Sequence, residues 1–142
     1  MKAVYATGTN YDDPLSVFEV GTMPEPETKP FWSTIRVKSA SVNHHDVWSL
    51  QGVGLSDEQT PMILGTDAAG VLQEDIPVRK GLKAGSEVVL YTFVGTDGAG
   101  VMPGERRSIL SERYAGTMAE YTQVPSANVF AKPANLNLDE AG

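Results

Sequence analysis

The sequence contains no cysteine, which excludes disulfide bonds, thiolate nucleophiles and every metal site that uses cysteine ligands. Unbroken apolar stretches are also short, and Val88-Val89-Leu90 is typical of them. A membrane-spanning helix requires about 20 apolar residues, so the sequence predicts no membrane span and no membrane partner. The N-terminus has no apolar run of the kind found in secretory signals. The chain is therefore expected to be cytoplasmic.

Basic residues are scarce. The chain has 11 Lys and Arg against 18 Asp and Glu, and its formal net charge is −7. Nucleic-acid binding depends on clustered basic side chains, so no nucleic-acid partner is predicted. The length of 142 residues and the hydrophobic content of 41% are typical of one soluble domain with a core.

Short strands separated by glycine and proline turns dominate the pattern. The clearest strand alternates Ile35 and Val37 with Arg36 and Lys38. Strands are predicted over residues 1–6, 15–20, 34–42, 68–72, 87–93, 116–124 and 128–131. One short helix is predicted over residues 46–50. The pattern predicts a mainly β fold, either a sandwich or a partly open barrel.

The segment 94–115 shows no obvious element. A loop of that length is uncommon in a compact domain and is often functional or mobile. It contains a glycine-rich run from Gly95 to Gly100 with the spacing Gly-x-x-Gly-x-Gly. Because no amphipathic helix follows this run, a loop is favoured over a phosphate-binding site.

Four segments, taken in order, resemble the N-terminal domain of the medium-chain dehydrogenase/reductase superfamily. They are the first strand with the strand ending at Asn43, and the runs Asn43–Trp48, Pro61–Val71 and Lys83–Val89. The resemblance covers nearly the whole chain and implies a GroES-like, partly open β-barrel with a few short helices. It implies that residues 1–142 are the catalytic, substrate-binding domain. A Rossmann cofactor domain is expected to lie outside this chain.

Zinc-dependent members of that superfamily hold a catalytic metal with a cysteine at the position of Asn43 and a histidine at the position of Thr66. They hold a second, structural zinc with four cysteines in a lobe that corresponds to residues 94–115. Zinc prefers thiolate and imidazole ligands, which both places lack in this sequence. The resemblance therefore predicts no zinc at either place.

The run from Val42 to Asp46 resembles the zinc-free quinone oxidoreductase branch. That resemblance implies an oxidoreductase dependent on NADP or NAD, which transfers a hydride to a small quinone, enal or aldehyde. Without its cofactor domain the chain is expected to be inactive, and apolar surface left exposed near Trp48 and the segment 94–115 is expected to favour a homodimer. The implied catalytic residues are Asn43, His45 and Asp46, the implied cofactor contacts are Asn43, His44 and Asp46, and the implied substrate pocket includes Trp48, Thr66 and Asp67.

Each of these residues also has a structural interpretation. Asn43 or Asp46 is a plausible helix cap, Asp67 is favoured as a brace that binds backbone amides, and Trp48 as a core residue. His44 and His45 are adjacent, so we expect that one of them is exposed.

Two other functions stay open at this point. One is a zinc alcohol dehydrogenase in which His44 or His45 is a metal ligand. The other is a free-standing GroES-like module that binds proteins or assembles.

Overall fold

The computed structural model describes residues 1–77, 81–95 and 107–142, and these residues form a mainly β structure. Two short helices accompany the strands, α1 (His44–Leu50) and α2 (Leu138–Ala141). Single 3-10 turns occur at Pro14–Val17, Asp57–Gln59 and Ser126–Asn128. The strands are β1 (Lys2–Ala6), β2 (Phe18–Thr22), β3 (Trp32–Ser39), β4 (Met62–Ile63), β5 (Ala69–Leu72), β6 (Glu87–Leu90), β7 (Phe93–Val94), β8 (Ser108–Ile109), β9 (Tyr121–Pro125) and β10 (Val129–Ala131).

The strands are arranged in three antiparallel sheets. The largest has the order β10-β6-β5-β3-β9, a second has the order β2-β1-β4, and β7 pairs with β8. Hydrogen bonds do not close these sheets into a continuous barrel in the described residues. The architecture confirms the prediction of a mainly β, GroES-like and partly open fold with a few short helices.

The alternation in β3 explains how the larger sheet acquires a buried face. Ser33 and Ile35 are buried, whereas Arg36 and Lys38 point to solvent. Successive side chains of a strand point to opposite faces, so alternation in the sequence becomes one apolar face. Ile35 packs in a core that also contains Leu72, Ile76, Leu82, Val88, Val94, Leu110, Val124 and Val129. Fully burying an aliphatic side chain of this size contributes roughly 1.5–3 kcal/mol.

A second apolar cluster packs helix α1 against the smaller sheet. Leu50 of α1 is buried with Ala6 of β1 and Leu64, and Leu55 and Met62 complete the cluster. The helix is too short to be stable alone, so this packing fixes it. The start of α1 is therefore held next to the turn that follows β4.

Several element boundaries differ from the prediction. Residues 14–17 form a 3-10 turn, because Pro14 at its start favours helical backbone angles, and β2 begins only at Phe18. The last long strand begins at Tyr121 and not at residue 116. β4 was not predicted, and α1 begins two residues earlier than expected, because Asn43 and not Asp46 is its N-cap.

The sequence predicts no element in the segment 94–115, and this prediction is wrong for the described part of the segment. β7 and β8 pair within it, and Leu110 bridges to Tyr114. The side-chain amide of Asn128 donates to the carbonyls of Tyr91 and Phe93, at 2.8 Å each. Residues 96–106, which include all of the predicted glycine-rich run except Gly95, lie outside the described residues. In the described part of the chain, no helix has the length and apolarity needed to cross a membrane.

Candidate functional site

The carboxylate of Asp46 fixes the start of helix α1. Its Oδ2 accepts a hydrogen bond from the backbone N–H of Asn43 at 2.7 Å. Its Oδ1 accepts one from the backbone N–H of Gly65 at 2.9 Å. Asp46 is only 4% exposed. A buried carboxylate of this kind needs such donors, and here it joins the helix start to the turn after β4.

The side chain of Asn43 extends this bonding to the neighbouring turn. Its Nδ2 donates to Oδ2 of Asp67 at 2.9 Å and approaches Oγ1 of Thr66 at 3.3 Å. The other oxygen of Asp67 accepts from the backbone N–H of Ser41 at 3.0 Å. We call Ser41, Asn43, Asp46, Gly65, Thr66 and Asp67 the Asn43 network. Its carboxylate and amide side chains are held by two bonds each, so their positions are largely fixed.

Gly65 meets a backbone requirement of this network. Its φ is +97°, a region that favours glycine. A Cβ at this position would lie 2.5 Å from Oγ1 of Thr117 and 2.8 Å from the backbone nitrogen of Met118. The hydroxyl of Thr117 in turn donates to the carbonyl of Asp67 at 2.7 Å. The turn is therefore packed tightly from both sides.

His45 lies next to the network but does not bond to it. Its side chain is 17% exposed, and its Nε2 is 3.7 Å from Oε1 of Glu112. That separation is too long for a hydrogen bond, and within the described residues this nitrogen has no hydrogen-bond partner. Glu112 is itself held, since its Oε2 accepts from Ser108 at 3.1 Å and its carbonyl accepts from Gln59 at 2.9 Å. Glu112 also lines a cavity of about 290 Å³, together with Phe93, Val94, Arg107, Ser108 and Ile109.

The outer face of α1 is aromatic and exposed. Trp48 is 51% exposed, and its ring centroid is 6.1 Å from that of His44. Val42, which precedes the helix, is 81% exposed. Trp48 is thus not a core residue, and the core interpretation of this side chain is wrong. An apolar surface of this kind beside a polar network is typical of a binding face.

The profile of the alcohol dehydrogenase GroES-like domain family matches residues 29–134. That match covers more than half of the sequence. The chain belongs to this family. None of the curated proteins matches the chain.

Solved structures with the same fold cover 99% of the chain. One is an NAD-dependent alcohol dehydrogenase, 35% identical, with a TM-score of 0.80 and 42% of its own length covered. Another is a thermostable alcohol dehydrogenase from Pyrobaculum aerophilum with cobalt and zinc bound, 27% identical, with a TM-score of 0.77 and 43% covered. A quinone oxidoreductase from Coxiella burnetii, at 21% identity, a TM-score of 0.72 and 39% coverage, shares the fold. The chain therefore spans about two fifths of the length of these relatives.

In this alcohol dehydrogenase-like domain, the structure brings together four of the residues singled out from the sequence. Asn43, Asp46, Thr66 and Asp67 belong to one hydrogen-bonded network. Asp67 braces backbone as the structural interpretation predicted, and it also accepts from the Asn43 side chain. His44 is exposed and His45 is half-buried, which agrees with the expectation that the adjacent pair faces different ways.

Three contributors to the site were missed in the sequence. Ser41 and Thr117 act through a backbone amide and a hydroxyl, groups that leave no distinctive pattern. Glu112 lies in the segment for which the sequence predicted no element, and nothing in its immediate sequence distinguishes it from the other charged residues there. Its approach to His45 depends on the β7–β8 pairing, which the sequence did not indicate.

The residues at the position of the family's catalytic zinc do not fit a zinc ion. An amide nitrogen such as Nδ2 of Asn43 has no lone pair available for a metal, and its hydrogens face oxygen acceptors. A threonine hydroxyl is a poor substitute for imidazole. Among residues 1–77, 81–95 and 107–142, no three His, Asp or Glu side chains are grouped to hold a metal ion.

Proposed function

We propose that this chain is the substrate-binding domain of an NAD(P)H-dependent, zinc-independent oxidoreductase that reduces a quinone, enal or aldehyde. The Asn43 network carries the proposal, because a bonded amide, hydroxyl and carboxylate stand where zinc-dependent members have thiolate and imidazole. The membership in the alcohol dehydrogenase GroES-like domain family supports the general class of reaction. A cytoplasmic homodimer acting on a small molecule is part of the same proposal.

The residues on the outer face of α1 fit a nicotinamide ring. Val42 and Trp48 offer exposed apolar surface directly beside the polar Asn43 network. When bound, NAD(P)H supplies the hydride for the reduction. His44, exposed at the start of α1, is the group that would meet the cofactor's phosphates. Asn43 would contact the nicotinamide end.

Asp46 and Asp67 have positioning roles in this proposal. Both oxygens of Asp46 already accept backbone N–H groups, so we assign this buried carboxylate to orienting Asn43, in place of the catalytic and cofactor-contacting roles predicted from the sequence. Asp67 and Thr66 orient the amide of Asn43 in the same way. Fixing a polar group before the substrate arrives avoids reorganisation during the reaction, which is an effective contribution to catalysis.

His45 is the proposed proton donor to the oxygen of the reduced carbonyl. Imidazole is the side chain that most often transfers protons in enzymes. The Nε2 of His45 is buried and has no hydrogen-bond partner in the described residues, since the Glu112 carboxylate, 3.7 Å away, is too distant to bond to it; the imidazole would therefore have to turn toward a bound substrate. Trp48 and Thr66 are proposed to border the substrate.

The test joins this chain to a cofactor-binding domain and measures NADH and NADPH oxidation with quinones, enals and aldehydes. We expect activity that survives EDTA, and a loss of about 10- to 100-fold in kcat/KM for Asn43→Ala. Asn135→Ala, at an exposed position, is the matched control and should retain activity. Inactivity over the whole panel would refute the oxidoreductase assignment.

The zinc-dependent alternative has its own measurement. A thermostable alcohol dehydrogenase that is 27% identical to this chain has cobalt and zinc bound. This similarity favours a zinc alcohol dehydrogenase over a free-standing binding module as the second candidate function. Metal analysis of protein purified without a histidine tag distinguishes the two reactions. Near-stoichiometric zinc, together with loss of activity in EDTA, would replace our proposal with a zinc alcohol dehydrogenase.

A further inference from the structure

A cavity of about 410 Å³ opens on a part of the surface that the Asn43 network does not line. It lies between the proline-rich segment before β3, the turn before β4 and the start of β9. We call it the Trp32 cavity. Its size is within the range of roughly 300–1,000 Å³ that is usual for small-molecule sites. Its walls include Met23, Pro24, Glu25, Pro26, Lys29, Trp32, Pro61, Met62, Ile63, Arg113, Tyr114 and Tyr121.

The walls of the Trp32 cavity are mainly apolar. The rings of Trp32 and Tyr114 are paired, with centroids 5.4 Å apart and planes tilted by 48°. Met23 and Met62 contribute flexible thioether side chains beside them. Methionine adapts its shape to an apolar partner at low cost, so these walls suit a hydrocarbon body of variable outline.

The charged groups at this cavity are mostly basic. The ammonium of Lys29 lies 3.8 Å from the centre of the Trp32 ring and 5.8 Å from that of Tyr114. Arg113, next to Tyr114 in sequence, also lines the cavity and is exposed. Among the described residues, Glu25 is the only acidic one in the lining. The cavity thus has a basic excess in a chain with a net charge of −7.

We propose that the Trp32 cavity binds a small amphipathic carboxylate. The hydrocarbon body would pack on Tyr114, the methionines and the accessible edge of Trp32, and the carboxylate would meet Lys29 and Arg113. Arginine and lysine form charge-assisted hydrogen bonds with carboxylates. This inference concerns a different surface from the proposed reaction and does not depend on it.

Local charge decides the sign of the ligand. Within the described lining, the side chains that carry charge are the cations Lys29 and Arg113 and the carboxylate of Glu25. A cationic amphiphile would be repelled by the excess positive charge of this lining, and a neutral alcohol would gain no electrostatic attraction from it. We therefore expect affinity in the order carboxylate, alcohol, amine.

The test is an NMR titration of the chain with octanoate, 1-octanol and octylamine. The sequence has two tryptophans, and they report on separate places, Trp32 in the cavity and Trp48 on α1. We expect octanoate to shift the indole N–H signal of Trp32 and to leave that of Trp48 unchanged. For a ligand of this size the dissociation constant should be about 1 mM or below.

Charge variants test the assignment in both directions. Arg113→Gln and Lys29→Met should each weaken octanoate binding about fivefold, and Glu25→Gln should strengthen it about twofold. Arg36→Gln removes an exposed arginine that does not line the cavity and should change nothing. The two basic variants are independent, so misfolding of one leaves the other as the test.

Three results would overturn the inference. They are equal binding of 1-octanol and octanoate, a shift of Trp48 in place of Trp32, and no shift of Trp32 up to about 10 mM octanoate. An unchanged affinity in a correctly folded Arg113→Gln or Lys29→Met variant would also contradict the assignment of the carboxylate to these groups.

Discussion

Replacing Asp46 by asparagine should destabilise the domain strongly although the two side chains have almost the same shape. Each oxygen of Asp46 accepts a different backbone N–H, from Asn43 at 2.7 Å and from Gly65 at 2.9 Å. An asparagine amide has one acceptor oxygen, so its NH2 group would face one of these donors. One charge-assisted bond is lost, and a buried N–H is left without a partner.

The magnitude follows from the burial of this group. A hydrogen bond to a charged group contributes about 1.5–3 kcal/mol, and an unsatisfied buried donor costs about 1–3 kcal/mol. Because Asp46 is only 4% exposed, water cannot easily compensate. We expect a loss of about 3 kcal/mol in the free energy of unfolding. With a urea m value of about 2 kcal/mol per molar, the unfolding midpoint should fall by about 1.5 M.

Asp57→Asn is the matched control for this measurement. A single oxygen of Asp57 accepts from both the backbone N–H and the hydroxyl of Thr9, at 2.7 and 2.8 Å. The amide oxygen of asparagine can keep both bonds, and the site is exposed. The control should lose less than about 1 kcal/mol. If the urea midpoints of the two variants shift equally, the two backbone hydrogen bonds of the buried Asp46 carboxylate do not stabilise the domain as argued.

Three further outcomes can be measured on the same protein. Gly65→Ala should lower the free energy of unfolding by about 3 kcal/mol, because positive φ strain adds to the contact with Thr117. Asn128→Leu should cost about 2–4 kcal/mol in urea unfolding, since two carbonyls lose their donor. In an ultraviolet titration, the pKa of Tyr5 should lie above its ordinary value, because its phenol bonds to the carboxylate of Glu19, and Glu19→Gln should lower it.

Matched variants separate the causes in these experiments. Gly85 has a φ of +88°, and a Cβ added there would meet no atom within 4 Å outside its chain neighbours. Gly85→Ala therefore introduces the backbone strain of a positive φ but no steric clash. It should cost about 1 kcal/mol. Asn135→Leu, at an exposed position, controls for the change in side-chain chemistry at Asn128. If Gly65→Ala and Gly85→Ala cost the same, the packing argument at Gly65 is wrong.

The fold was predictable because its signals are local. Alternation in β3 placed Ile35 inside and Arg36 outside, and both positions are as expected. β4 was missed because it has only two residues, too few for a period to appear. The predicted start of the strand at residue 15 was wrong. Pro14 favours helical backbone angles, and residues 14–17 form a 3-10 turn although apolar residues follow the proline.

The site was predictable only where its residues are close in sequence or share a family motif. Asn43 and Asp46 lie three residues apart, and their bond is a local feature of a helix start. The contact of His45 with Glu112 joins residues that are 67 positions apart and depends on where the segment after β8 lies relative to α1. No sequence period encodes such a contact. The exposure of Trp48 was likewise not predicted, because a buried aromatic residue is the commoner outcome and a short helix does not show which face is covered.

The arrangement of carboxylates around α1 links the stability of the domain to its proposed chemistry. Asp46 binds a backbone amide with each of its oxygens, whereas Asp67 binds a backbone amide with one oxygen and orients Asn43 with the other. Any change that loosens these backbone bonds therefore also moves the amide of Asn43. His45 lies on the same helix, but its buried Nε2 has no hydrogen-bond partner in the described residues, so this ring is not tied to the network. The domain thus combines a fixed polar group with a less constrained imidazole, a division that suits binding of a cofactor by the first and proton transfer by the second.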